Sequence, residues 1–154
     1  MYKISPFIGA TALMIALASA QADDVGKGIE QVRSDDSIDR VEVRLRAALD
    51  ERGMVLVTMV DHSANAERVS LSLPATRMFL FGNPDVGTPM MQCKGGLALD
   101  LPQKMLLRED EGTTLIEWND PHYLAWRHDL DDCDLPLEQV AEALSGIANQ
   151  AAGN

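Results

Sequence analysis

Phe81-Gly82-Asn83-Pro84-Asp85-Val86-Gly87-Thr88-Pro89 is the stretch on which the reading of this chain turns. It follows an apolar run, Thr76 to Phe81, and places Gly, Asn-Pro, Gly and Thr-Pro at short intervals. Proline sets φ and glycine frees it, so the segment is a shaped backbone and not a solvated linker. Two roles fit that shape. One is a structural corner fixing the angle between a strand and the element after it. The other is a cradle whose backbone N–H groups face a small anion, as glycine-containing nests do. It is neither a Walker loop nor a dinucleotide fingerprint, because it lacks the Gly-Lys-Ser/Thr ending and its prolines remove two donors.

Working outward, Met54 to Val60 is short, continuous and rich in β-branched residues, as in a well-buried strand. Before it, Ile38, Val41, Leu45, Ala48 and Leu49 recur at three and four, the stripe of an amphipathic helix. Ser34-Asp35-Asp36-Ser37 offers N-cap oxygens and an acidic first turn, and Gly53 offers a stop. Gly28 to Val32 reads as a short first strand. Asp61-His62-Ser63 closes the second strand with cap chemistry, and Ala64 to Arg68 forms a brief helix.

Downstream, Met90-Met91-Gln92-Cys93 makes one or two helical turns closed by Gly95-Gly96. Lys104–Glu109 and Thr113–Trp118 flank Asp110-Glu111-Gly112 as a hairpin. Asn119-Asp120-Pro121 opens a short helix, and Asp131 to Asp134 is an acidic joint. The final helix, Pro136 to Asn149, carries the stripe Leu137, Val140, Ala141, Leu144, Ile147 and Ala148, with Ala151 to Asn154 fraying. The order strand, helix, four strands, helix puts two single-striped helices on one face of an antiparallel or mixed sheet. That is an α+β two-layer sandwich.

Residues 1–22 have the pattern of a signal peptide. Lys3 gives the positive start, Ile8 to Leu17 the apolar stretch, and Ala20-Gln21-Ala22 the small-residue site before Asp23-Asp24. The apolar stretch is shorter than the ~18 residues that span a bilayer. Residues 23–33 are read as the start of the mature chain and 34–150 as its one domain. The chain has 13 Lys+Arg and 24 Asp+Glu. That acidity opposes nucleic-acid and anionic-membrane binding, where affinity comes from basic side chains. The expected destination is a periplasm rather than the medium. In that oxidising setting Cys93 and Cys133 either close a disulfide or stay as two packed thiols.

Several short motifs stand in one order along the chain. They are Arg52-Gly53, Val60-Asp61-His62 with Ala64 and Ala66, Leu73-Pro74-Ala75-Thr76-Arg77, Phe81-Gly82-Asn83-Pro84 and Gly87-Thr88-Pro89-Met90-Met91. Leu99-Asp100-Leu101-Pro102-Gln103-Lys104 and Trp118-Asn119-Asp120-Pro121 with Tyr123-Leu124 follow. With these, roughly Ser34 to Leu130 resembles the proteins grouped as domain of unknown function 302. The resemblance implies a compact α+β domain similar to the TATA-binding-protein architecture, dimeric, with no assigned enzymatic activity. Cys93 and the Asp131–Asp134 joint depart from the pattern.

Asp61-His62 at a strand end serves either as an acid-base site or as a cap for the next helix. His122 and His128, six apart, fall on different helix faces and make no i, i+4 metal pair, so no metal site is expected. Cys93 lies next to Lys94, yet no Cys-x-x-Cys or peptidase signature surrounds it. No cofactor motif is present. Met78, Met90, Met91 and Met105 with Phe79, Phe81 and Trp118 serve as core or as the lining of a ligand box. The leading expectation is a small-ligand-binding or interaction module, with Asp61, His62, Asn83, Gly87, Thr88 and Lys104 around one pocket. Its rivals are an enzyme using His62, with or without Cys93, and a structural envelope protein.

Overall fold

A computed structural model describes residues 26–154, so the signal-like segment at 1–22 lies outside the described residues. The elements are β1 (Ile29–Ser34), α1 (Ile38–Glu51), β2 (Val55–Asp61), α2 (His62–Glu67), β3 (Thr76–Gly82) and α3 (Pro84–Cys93). A 3₁₀ turn (Gly95–Leu99), β4 (Gln103–Asp110), β5 (Thr113–Asn119), α4 (Pro121–Arg127) and α5 (Leu137–Ala152) follow. The strands lie in the order β1-β5-β4-β3-β2, and every neighbouring pair is antiparallel. β1 (Ile29–Ser34) is thus an edge strand of the sheet.

Period-two alternation sends Phe79, Phe81, Met105, Leu107, Ile116 and Trp118 to one face, where α1 and α5 cover them. The α1 stripe is the one expected: Ile38, Val41, Leu45, Ala48 and Leu49 are its buried residues. The β4–β5 hairpin turns through Glu111 and Gly112, both at positive φ, the backbone that a two-residue turn needs. The opposite sheet face carries half-buried Met78, Leu80 and Leu106 beside an Arg108–Glu117 ion pair of 2.6 Å.

Three local outcomes differ from the sequence reading. Ser37 makes no side-chain cap bond; Asp36 instead accepts from Arg40 and Arg44, each at 2.8 Å. The Arg44 hydrogen bond, foremost, holds the Asp36 carboxyl below its ordinary pKa. The final helix does not fray at Ala151: Ala151 and Ala152 are helical and buried, and Gly153 closes the helix in the left-handed region. Ser34 Oγ donates to the Ala152 carbonyl at 2.7 Å, and Arg44 donates to Ala151 and Ala152 at 2.7 and 3.1 Å. These bonds satisfy carbonyls that a helix end otherwise leaves open.

The third difference is the segment after Asn83: residues 84–89 are the first turns of α3 and not an irregular corner or cradle. Asn83 caps α3 by accepting from Asp85 N at 2.9 Å, and Pro84 takes the first helical position. A second, smaller core forms around it from Met90, Leu97, Ala125 and Leu130, with Val86, Leu101, Cys133, Leu135 and Leu137 packed against them. Cys93 at the end of α3 is disulfide-bonded to Cys133 in the acidic joint, with Cα atoms 6.2 Å apart.

Candidate functional site

A pocket of about 490 Å³ opens where the two cores meet. The larger core contributes Met54, Phe81, Val140 and Leu144; the smaller contributes Val86, Met90 and Leu101. Its walls are thus the start of β2, the end of β3, α3, the entry to β4 and the first half of α5. Among the described residues, no Lys, Arg, His, Asp or Glu lines it. Among the described residues, Asn83, Thr88, Gln103 and Gln139 are the lining side chains that carry an amide or hydroxyl. Pockets of this size with few polar groups are typical small-molecule sites.

The fold divides the residues singled out in the sequence. Asn83, Gly87 and Thr88 line the pocket. Asp61 and His62 do not: Asp61 pairs with Arg77 at one end of the β2–β3 ladder, while Val55, at the pocket, pairs with Gly82 at the other. Six residues of strand separate the two ends, about 20 Å at ~3.3 Å per residue. Asp61 caps α2, accepting from Ala64 N at 2.9 Å and Ser63 Oγ at 2.6 Å. The Ala64 amide, then the Ser63 hydroxyl, hold its carboxyl below the ordinary range. His62 is half-buried and makes no side-chain hydrogen bond or ion pair among the described residues.

Lys104 also stays out of the pocket lining. Its Nζ donates to the Asp100 and Pro102 carbonyls at 2.8 and 3.2 Å, strapping the turn before β4. Burial pulls its pKa down, opposed in part by the Asp100 charge. The anion cradle is likewise not formed by α3. Pro84 has no N–H, Asp85 N bonds the Asn83 side chain, and Val86 N and Gly87 N bond the Asn83 carbonyl at 3.1 and 2.9 Å. The donors at that helix start are already engaged.

Two features escape the sequence reading. Gln103 lies on β4 opposite Phe81, and period two puts its side chain on the helix-covered face with Met105 and Leu107. Its Oε1 is shielded from solvent and has no hydrogen-bond partner among the described residues. Starting that strand at Lys104 instead of Gln103 hid a polar residue at the head of an apolar face. The second is a polar cluster in which Asp100 meets His128 at 2.6 Å and Arg127 at 3.6 Å, tying the end of α4 to the 3₁₀ turn. Another hollow, about 580 Å³ and lined in part by Glu30, Asp120, His122 and Glu142, lies between α4 and α5. Among the described residues no group of three or more His, Cys, Asp or Glu is placed to hold a metal ion.

The family described as "Domain of unknown function DUF302" matches residues 30–151. The fluoride-specific ion channel FluC 1 of Brucella suis biovar 1 (strain 1330) is 36% identical over 135 residues, covering 86% of this chain and 53% of that protein. FluC 1 of Brucella abortus biovar 1 (strain 9-941) is also 36% identical, covering 86% and 50%. The chain thus spans about half the length of these relatives. No helix among the described residues is long and apolar enough to cross a membrane. In fold, the chain is similar to the crystal structure of an uncharacterized conserved DUF302 protein from Bacillus stearothermophilus. The TM-score is 0.75 at 14% identity, covering 82% of this chain and 99% of that one.

Proposed function

The chain belongs to the DUF302 family, and on that premise we propose that it is an exported binding module for an uncharged, largely apolar small molecule. The observation that carries this reading is the 490 Å³ pocket at the junction of the two cores, with no charged side chain among the described residues of its walls. Three methionines, Met54, Met90 and Met91, give it a lining that adapts to the shape of a guest. Export is supported by the signal-like pattern at 1–22 and by the Cys93–Cys133 disulfide, which suits an oxidising compartment. A periplasmic destination is proposed on the same footing.

Binding fits the arrangement better than catalysis. A histidine base must come within hydrogen-bond reach of its nucleophile, and Cys93 is held in a disulfide while His62 sits at the far end of β2. A homodimer through the uncovered sheet face, with Met78, Leu80 and Leu106 at its centre, is a further part of the proposal; equilibrium sedimentation of residues 23–154 tests it.

Fluorescence titration with 2-methylnaphthalene tests the pocket itself. Saturable one-to-one binding at about 100 µM or tighter is expected for a probe of this size. Ala143→Phe, which fills the pocket from α5, is expected to weaken it at least about ten-fold. Absence of saturable binding to the folded wild-type protein refutes the reading.

A further inference from the structure

We propose that Gln103 selects the ligand, so that the pocket takes an apolar molecule bearing one uncharged hydroxyl or amide held by the Gln103 carboxamide. This rests on the pocket reading above and adds the ligand's polar group to it. Gln103 stands at a position where stability alone calls for an apolar residue: its face of β4 continues with wholly buried Met105 and Leu107. Its Oε1 is nevertheless shielded from solvent with no partner among the described residues. An unpaired buried carbonyl is costly. Gln103 lines the pocket, so a turn of its carboxamide lets Oε1 meet a partner that arrives with the ligand, which removes that cost.

The walls decide the charge of that partner. Among the described residues no basic or acidic side chain lines the pocket, so an anionic or cationic head would be buried there without a counter-charge. The nearest cation along the strand, Lys104, is committed to the Asp100 and Pro102 carbonyls. The Asn83 side-chain oxygen accepts from Asp85 N, and Gln139, the third amide on the wall, is exposed. A hydroxyl both donates and accepts, so it pairs with either end of the Gln103 amide. The volume limits the rest of the molecule: 490 Å³ at ~30 Å³ per non-hydrogen atom leaves room for about sixteen. An adaptable methionine lining discriminates weakly by shape, which leaves the polar contact to set specificity.

A matched series separates the polar contact from the pocket. 2-Naphthol, its methyl isostere 2-methylnaphthalene and the anion 2-naphthoate are titrated by fluorescence into wild-type protein, Gln103→Leu and, as a second variant, Gln103→Met. The affinity ratio of 2-naphthol to 2-methylnaphthalene is expected to fall about ten-fold in both variants. 2-Naphthoate is expected to bind wild-type protein at least about ten-fold more weakly than 2-naphthol. Both variants are expected to melt no lower than wild type, because no hydrogen bond within the empty protein is lost. An unchanged ratio, or 2-naphthoate binding as tightly as 2-naphthol, overturns the role of Gln103; if 2-methylnaphthalene still binds saturably, the pocket reading survives. Failure of all three probes to bind wild type overturns both.

Discussion

Beneath α1 and α5, Leu45, Phe79, Phe81, Met105 and Ile147 are wholly buried between two helices and a five-stranded sheet, and no covalent link crosses them. Beneath α3 and α4, the buried set is only Met90, Leu97, Ala125 and Leu130, and a disulfide ties its edges. Regular elements with full apolar faces hold the first core. Short helices and a 3₁₀ turn cannot bury enough surface to do the same for the second, and the crosslink there restrains the segments that packing holds less firmly. The pocket lies between them, so one wall is rigid and the other depends on the staple.

The largest expected effect probes the first core. Phe79→Ala is expected to lower unfolding stability by about 3–5 kcal/mol in urea titration. A loss under about 1 kcal/mol would mean that the sheet–helix interface is not the main determinant of the fold. Next comes the staple, with Cys93→Ala and Cys133→Ala combined. For a sequence separation of 40, loop-closure entropy sets the expected loss at about 4 kcal/mol or less. Amide exchange is expected to quicken in α3 and α4 while β3, β4 and β5 keep their protection, with 2-methylnaphthalene binding weakened. Uniform loss of protection across both regions would break the division into two cores.

The smallest expected effect lies at Asp61, at the end of β2 away from the pocket. Its carboxyl is held below the ordinary value of about 4 by the Ala64 amide and the Ser63 hydroxyl. A depressed folded-state pKa contributes stability above the unfolded value, and that contribution is lost as pH falls through the folded value. Wild type is therefore expected to lose a small increment of melting temperature below about pH 4 that Asp61→Ala lacks. 2-Methylnaphthalene affinity is expected to be equal in the two proteins at neutral pH. Weaker binding in Asp61→Ala would show that the two ends of β2 are coupled after all.

The sequence was most legible where a few neighbouring residues decide the outcome. The α1 stripe, the Asp110–Thr113 turn and the Asp120-Pro121 helix start each need only local information, and each formed as read. Asn83-Pro84 has the same grammar as Asp120-Pro121, an Asx cap followed by proline at the first helical position. Gly87 and Pro89, which follow it, favour the corner or cradle that the sequence suggests over a helix. Packing of Val86 and Met90 into the smaller core overrides their poor helix propensity. The pocket was half legible: Asn83, Gly87 and Thr88 belong to it, whereas Asp61, His62 and Lys104 do not line it. Its walls come from segments far apart in sequence, and only the strand register shows that the two ends of β2 are about 20 Å apart.

The seal on the last turn of α5, where Ser34 and Arg44 donate to the carbonyls of Ala151 and Ala152, bears on how the domain can be joined to others. Leu144 is the last α5 residue on the pocket wall, and Ala152 lies about 12 Å further along the helix at ~1.5 Å per residue. A polypeptide attached after Asn154 would depart from this sealed end, beyond the last α5 residue on the pocket wall. The carboxyl end is therefore an attachment point set about 12 Å along α5 from the pocket wall.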